Sequence, residues 1–259
     1  IKIPQNKTSH YIQNFFSKKP FFNFLEIKKE KKNLIQNRPY YPELKDLYRL
    51  YKFIIDNKRT TILEFGTGWS TLIILSAIQE LDDKYLNKIK DIRKKDKFKI
   101  FVVDNELKYL KISKKRIAQF KKKIKDNREN ISFLFSDVTF EKINNQYCNI
   151  YKKIPLCNPD FIYLDGPNLF KIKNSVNNFT NKHHDMMPMV ANILNMEPFL
   201  IPGTIILSDG RTANMRFLKN NLKRNWVYKH DKINDQNILY LDEAPLGKIN
   251  SNILKFYTL

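Results

Sequence analysis

Cysteine is almost missing from this chain: Cys148 and Cys157 are the only two in 259 residues, and both lie far from any histidine. That isolation argues against a zinc cluster, and both are expected to be ordinary free thiols, with a disulfide between them as the disfavoured alternative. No apolar run reaches the ~18 residues a membrane span needs, so no span is expected. The first residues carry no signal-peptide pattern, which makes a cytoplasmic chain the expectation. Internal repeats, glycine-rich linkers and low-complexity tails are also absent. What is left is one large domain, or one domain with an added segment, long enough to bury a substantial core.

Acidic residues are in deficit. Lysine and arginine number 47 against 26 aspartates and glutamates, a net charge of +21. The lysines fall in short runs, Lys28-Lys29, Lys31-Lys32, Lys94-Lys95, Lys114-Lys115 and Lys121-Lys122-Lys123, among asparagine and isoleucine rather than arginine. A generally basic, solvated surface is favoured over a dedicated nucleic-acid site, and salt-sensitive attraction to polyanions follows from either.

Residues 1–58 form a first, helical and aromatic unit. Phe15, Phe16, Phe21, Phe22 and Phe24 sit among lysines, and Pro39-Tyr40-Tyr41-Pro42 punctuates the chain. Leu44, Leu47, Leu50 or Tyr51, and Ile54 then recur at helical spacing. The aromatics read as packing, or as a surface that covers a substrate or pairs two subunits. In residues 59–259, short apolar runs alternate with helix-like stretches, which predicts an α/β domain with a largely parallel sheet. Strands are expected at 61–65, 99–103, 132–135, 160–164 and 204–208, with a late antiparallel hairpin from 226–229 and 237–241. Leu110, Ile117, Phe120 and Ile124 share one helical face, as suits a crossover between parallel neighbours. Residues 82–97 read as a charged insertion, an exposed loop or a helix extension, and 212–223 as a helix.

The most informative stretch is Ile62-Leu63-Glu64-Phe65-Gly66-Thr67-Gly68-Trp69-Ser70-Thr71: a buried strand, a glycine turn and a helix. Gly66 and Gly68 let the main chain turn sharply and approach a nucleotide-like ligand, with Ser70 or Thr71 as the helix cap. Downstream, Asp104 closes the second expected strand, Asp137 follows the third, Asp165 the fourth and Asp209 the fifth. Ligands of open α/β sheets bind outside these carboxyl ends.

From about residue 60 to 241, this order of features resembles the class I S-adenosyl-L-methionine-dependent methyltransferases. The resemblance implies a Rossmann-like three-layer sandwich around a mostly parallel seven-stranded sheet with a C-terminal antiparallel hairpin. Glu64-Phe65-Gly66-Thr67-Gly68, with Ser70 and Thr71 behind it, looks like the family's first motif. On that likeness the turn passes beside the methionine moiety, and Glu64 orients its amino group directly or through water. Asp104 is implied as the ribose ligand and Asp137 as the adenine-side residue, although Asp137 also suits a turn or helix cap. A carboxylate at 104 would serve NAD as well. The dinucleotide pattern, however, wants glycine where Thr71 stands and an acid ~20 residues on.

Asp165 and Asp209 would end adjacent strands, as in the metal-dependent catechol O-methyltransferase group, from which this chain is distant. Gly210 and Asn168 replace that group's asparagine and lysine, so no metal is assigned, with weak Mg²⁺ binding by the two aspartates as the alternative. Asp165-Gly166-Pro167-Asn168 also departs from the DNA amino-methylating pattern. His184, at the rim, is the candidate proton acceptor. Arg211 could clamp an acidic group of the acceptor or merely hold an ion pair. The resemblance thus implies methylation of an oxygen on a small or medium-sized acceptor. The alternatives are an RNA or other polyanion methyltransferase, a non-catalytic methyltransferase-like binding domain, and NAD chemistry. The acceptor and the oligomeric state are not written in the sequence.

Overall fold

The computed structural model describes residues 1–25, 41–90 and 92–259; the lysine runs at 28–32 and Pro39-Tyr40 lie outside the described residues. Helices α1 (Ser9–Ser17) and α2 (Leu44–Asp56) precede β1 (Thr61–Phe65), α3 (Trp69–Tyr85), β2 (Lys99–Asp104), α4 (Leu107–Lys123) and β3 (Ile131–Phe135). A hairpin of β4 (Val138–Ile143) and β5 (Gln146–Tyr151) leads to β6 (Phe161–Leu164), α5 (Asn192–Met196), β7 (Ile205–Asp209) and α6 (Thr212–Asn221). The chain closes with β8 (Trp226–Asp231), β9 (Gln236–Leu241) and α7 (Gly247–Thr258). Among the described residues, no helix is long and apolar enough to cross a membrane.

Seven strands form one sheet in the order β3-β2-β1-β6-β7-β9-β8, parallel except for the β8–β9 hairpin. The five parallel strands run outward in both directions from β1, so chain order reverses between β1 and β6. That is the topological switch point of a doubly wound fold, where a crevice opens at the carboxyl ends. β1 is buried at all five positions, as expected of a strand covered on both faces. On one face, Ile62, Phe161, Tyr163, Ile205 and Leu207 pack against α1, α2, α3, α4 and α7. On the other, Leu63, Phe65, Ile162, Leu164 and Ile206 pack against α5, α6 and the β4–β5 hairpin. The fold is therefore the expected Rossmann-like three-layer sandwich with a C-terminal antiparallel hairpin.

The apolar stripe of α4 buries Leu110, Ile117 and Phe120, while Lys121, Lys122 and Lys123 occupy its last turn, where cations complement the helix dipole. Phe16 and Phe21 are completely buried and meet edge-on at 5.3 Å, with Tyr48 of α2 also against Phe16.

Three local expectations are corrected. The cap of α3 is Gly68, not Ser70 or Thr71; Thr71 stands in the first turn and its hydroxyl accepts from the Gly68 amide at 3.2 Å. Residues 82–97 begin as an extension of α3, which runs to Tyr85, but they are not wholly exposed: Ile89 is buried, and Lys94 reaches inward to Asp160 at 2.5 Å. The β4–β5 hairpin was not foreseen. Its turn is Asn144-Asn145, both with positive φ (48° and 61°), the conformation that two-residue hairpins select and asparagine tolerates.

Candidate active site

Parallel pairing sets Phe65 beside Val103 and Leu164, Asp104 beside Phe135, and Leu164 beside Ser208. This register delivers Gly66, Asp104, Asp137, Asp165 and Asp209 to one edge of the sheet. Gly66 has φ +96°, and a Cβ there would lie 2.7 Å from the Gly166 nitrogen; one on Gly166 would lie 2.6 Å from the Gly66 nitrogen. The close approach that Gly66 permits is thus to the chain itself, at Asp165-Gly166. Gly68 is different: a Cβ there would meet nothing nearer than Ser70 Oγ at 3.9 Å, which leaves that side open to a ligand.

Glu64 is completely buried. Its carboxylate accepts from Ser70 Oγ at 2.5 Å and Thr71 Oγ1 at 2.7 Å, and Thr71 Oγ1 lies 3.0 Å from Thr67 Oγ1. Glu64, Thr67, Ser70 and Thr71 therefore form one hydroxyl-carboxylate network that braces the turn, and Glu64 can reach a ligand only through those hydroxyls. Burial pushes the Glu64 carboxyl up to about 8, aided by Asp165 and Asp104 and opposed by the two hydroxyls.

Asp104, also buried, accepts from the Glu106 amide at 2.7 Å, and the Thr67 amide reaches it too. Burial raises it to about 7, the two amides pulling it back and Glu106 and Asp165 adding to the rise. Beside it, Asn105 and Asn168 exchange two hydrogen bonds, of 3.0 and 2.9 Å, between the loop after β2 and the loop after β6. Because β1 lies between those strands, this amide pair crosses the rim above the glycine turn. Arg116 covers the other flank, 3.5 Å over the Trp69 ring and 3.1 Å from the Gly68 carbonyl. Asp137 follows directly on β3, whose end is tied to Asp104 by the Ser136 amide at 3.0 Å.

Asp165 is half exposed and held by Arg211, which donates to its carbonyl and approaches Oδ1 at 3.5 Å. The Arg211 ion pair foreseen from sequence is therefore internal to the rim. Beneath it, the Tyr151 hydroxyl and Arg211 Nη1 are buried without hydrogen-bond partners among the described residues. Asp209 is pushed up to about 8 by burial and by the neighbouring Asp46, Asp165, Asp235 and Glu43. Glu43 and Asp46 belong to the start of α2 and were not among the expected site residues. Their position was invisible in sequence because it depends on α2 running down from the rim to the foot of β1.

His184 is not brought into contact with either aspartate. It is exposed, its ring 4.8 Å from Phe170, with no hydrogen bond to Asp165 or Asp209. The loop that carries it is pinned elsewhere: Asn181 bonds Asn149 at 2.9 Å, and Met189 bonds the same side chain at 2.7 Å.

Taken together, the rim is that of a Rossmann-like domain with a glycine turn and a ring of carboxylates at the switch point. No family model and no curated protein matches the sequence. Among solved structures, the chain is similar to the O-methyltransferase TomG from Streptomyces achromogenes, solved with SAM: 9% identity, TM-score 0.39, covering 78% of this chain and 82% of that one. It is also similar to the SAH-bound Podospora anserina methyltransferase PaMTH1: 9% identity, TM-score 0.42, covering 92% and 90%. A third is the O-methyltransferase from Bacillus cereus in complex with SAH: 11% identity, TM-score 0.38, covering 94% of each chain. Likeness of this degree assigns no chemistry to the chain.

Proposed function

We propose that this protein is an S-adenosyl-L-methionine-dependent methyltransferase that acts on a hydroxyl of a small or medium-sized acceptor. The observation that carries the proposal is electrostatic. In a chain of net charge +21, the sheet's carboxyl rim gathers Glu64, Asp104, Asp165 and Asp209 around a glycine turn, and among the described residues only Asp165 has a cation in contact. Such a set fits a cationic ligand with hydroxyl groups. A carboxylate at the end of β2 suits a ribose, and its neighbours suit a sulfonium and an ammonium.

In this reading the turn from Gly66 through Gly68 receives the cofactor on its open side, with Thr67, Ser70 and Thr71 transmitting the Glu64 brace. Asp104 accepts the ribose hydroxyls and Asp137 lies on the adenine side. When bound, the cofactor supplies a methyl group already activated by the sulfonium charge. The protein's part is to align donor and acceptor and to exclude water. Asp209, raised to about 8, is suited to take the proton of the acceptor hydroxyl near neutral pH. Asp165, steadied by Arg211, orients the acceptor. His184 packs on Phe170 and is given no part in this step.

Residues 1–58 belong to the proposal as an extension bordering the acceptor, and 59–259 as the catalytic domain. A reducing, cytoplasmic setting is supported by two unpaired thiols. The carboxylate rim disfavours RNA or another polyanion as the acceptor, since phosphates would meet like charge there.

The test is calorimetric titration with S-adenosylhomocysteine, repeated on Asp104→Ala. Saturable binding that weakens by at least about tenfold in the variant is expected, about 1.4 kcal/mol. No heat and no thermal shift with the parent would overturn the proposal, and a preference for NAD would replace it with dinucleotide chemistry.

A further inference from the structure

We propose that the acceptor half of the crevice is a cation site, so that the acceptor carries an ammonium or guanidinium group in addition to its reacting hydroxyl, seated among Asp46, Asp209 and the Tyr163 hydroxyl. The proposal deepens the methyl-transfer reading and rests on it.

The geometry begins with register. Glu64 pairs with Tyr163, and Tyr163 with Leu207, so their side chains share a face of the sheet, and Asp209 lies on that face two residues beyond Leu207. It is the face covered by α2 and α3. The start of α2 is fixed there by Arg49, one turn after Asp46, whose Nε donates to Gln236 at 2.7 Å; Gln236 is the residue opposite Asp209 in the β7–β9 ladder. Glu43 and Asp46 are thereby held beside the end of β7.

Tyr163 supplies an independent sign of a missing ligand. Only 7% of it is exposed, yet its hydroxyl has no hydrogen-bond partner among the described residues, and the charges that act on it are those of Asp165, Asp209, Glu64 and Asp46. The hydroxyl is not among the fully buried polar atoms, so the small exposed part of Tyr163 opens on this acidic crevice, an unpaired phenol to which an incoming group can bond.

Lys45 and Arg49 attract Asp46, and Arg49 also feels Asp209, but among the described residues no cation forms an ion pair with either carboxyl. Arg49 directs its three nitrogens to Gln236, Pro4, Asn6 and Asp231. Arg211 serves Asp165. Lys45 is exposed on the outside of α2. Asp46 is accordingly raised to about 6, by burial first and then by Glu43. No group of three acidic, histidine or cysteine side chains is arranged to hold a metal ion among the described residues.

Three phenols that differ only in the tail separate the outcomes: tyramine (cationic), 4-ethylphenol (neutral) and 3-(4-hydroxyphenyl)propionate (anionic). Each is titrated into the protein with and without S-adenosylhomocysteine, whose own binding reports separately on the methyl-transfer reading. Tyramine should bind at least about tenfold more tightly than 4-ethylphenol, and the propionate more weakly still. Asp46→Asn and the exposed Glu43→Gln should each reduce the tyramine preference while leaving S-adenosylhomocysteine binding unchanged. The proposal is overturned if tyramine shows no saturable binding, if either congener matches it, or if both variants keep the full preference.

Discussion

Replacing Glu64 by glutamine turns a buried carboxyl into a neutral group of the same shape, and the consequence for stability should depend on pH. Glu64 is completely buried between β1 and the first turn of α3, and burial moves it from its ordinary 4.5 to about 8. The folded protein therefore binds this proton more tightly than the unfolded chain does. The stability it contributes is full below pH 4.5 and is lost as pH rises through 8. Over that span the loss amounts to at most about 5 kcal/mol, from the shift in this one carboxyl. Glutamine does not titrate, so Glu64→Gln should match the parent at pH 5 or fall short by about 1 kcal/mol for imperfect hydrogen bonds to Ser70 and Thr71. At pH 9 the order should reverse, with the variant melting roughly 10 °C higher.

Thermal unfolding of both proteins at unit steps from pH 5 to 9 reads this directly. Other carboxyls titrate in both proteins and cancel in the difference. Asp104 and Asp165 do not cancel fully, but their repulsion of Glu64 vanishes in the variant and adds in the same direction. A difference that stays flat across the range, or a parent that remains the more stable at pH 9, would refute the assignment of Glu64 as a buried, proton-holding brace.

Three further outcomes are expected. Gly166→Ala puts a Cβ 2.6 Å from the Gly66 nitrogen and should lower stability by about 1–3 kcal/mol while weakening S-adenosylhomocysteine binding; an unchanged Tm would mean the two strand ends do not touch. Asp104, at about 7, must ionise to accept ribose hydroxyls, so S-adenosylhomocysteine affinity should rise about tenfold from pH 6 to pH 8, and Asp104→Asn should flatten that profile in calorimetry. Burial alone would raise Asp160, but Lys94 and Arg59 hold it below its ordinary value, while Thr60 and Tyr257 hydrogen-bond it. The stability it contributes is therefore present above the ordinary carboxylate range and lost in acid. Asp160→Asn, which strands Lys94, should lower stability by about 3–5 kcal/mol at neutral pH in urea unfolding.

Much of the frame was legible because it is local. Five runs of β-branched and apolar residues, each ending in a polar or glycine turn, marked β1, β2, β3, β6 and β7, and their common direction follows once helices connect them. Trp226 and Leu241 bracket the late hairpin for the same reason. The hairpin of β4 and β5 was missed although Asn144-Asn145 between two half-apolar runs carries its signal, since asparagine accepts positive φ. Asp160, just before β6, is held by Lys94 and Tyr257, which lie 66 and 97 residues away and leave no local signal.

Sequence alone determined that Gly66, Asp104, Asp137, Asp165 and Asp209 would stand at strand ends, because alternation and turn chemistry are written in neighbouring residues. Only the tertiary structure decided what each of them faces. It turned Glu64 inward onto Ser70 and Thr71, moved His184 out to Phe170, and brought Glu43 and Asp46 of the first unit to the side of Asp209. Those outcomes depend on which helix covers which face of the sheet, and contacts between residues far apart in the chain leave no period or spacing in the sequence to be read.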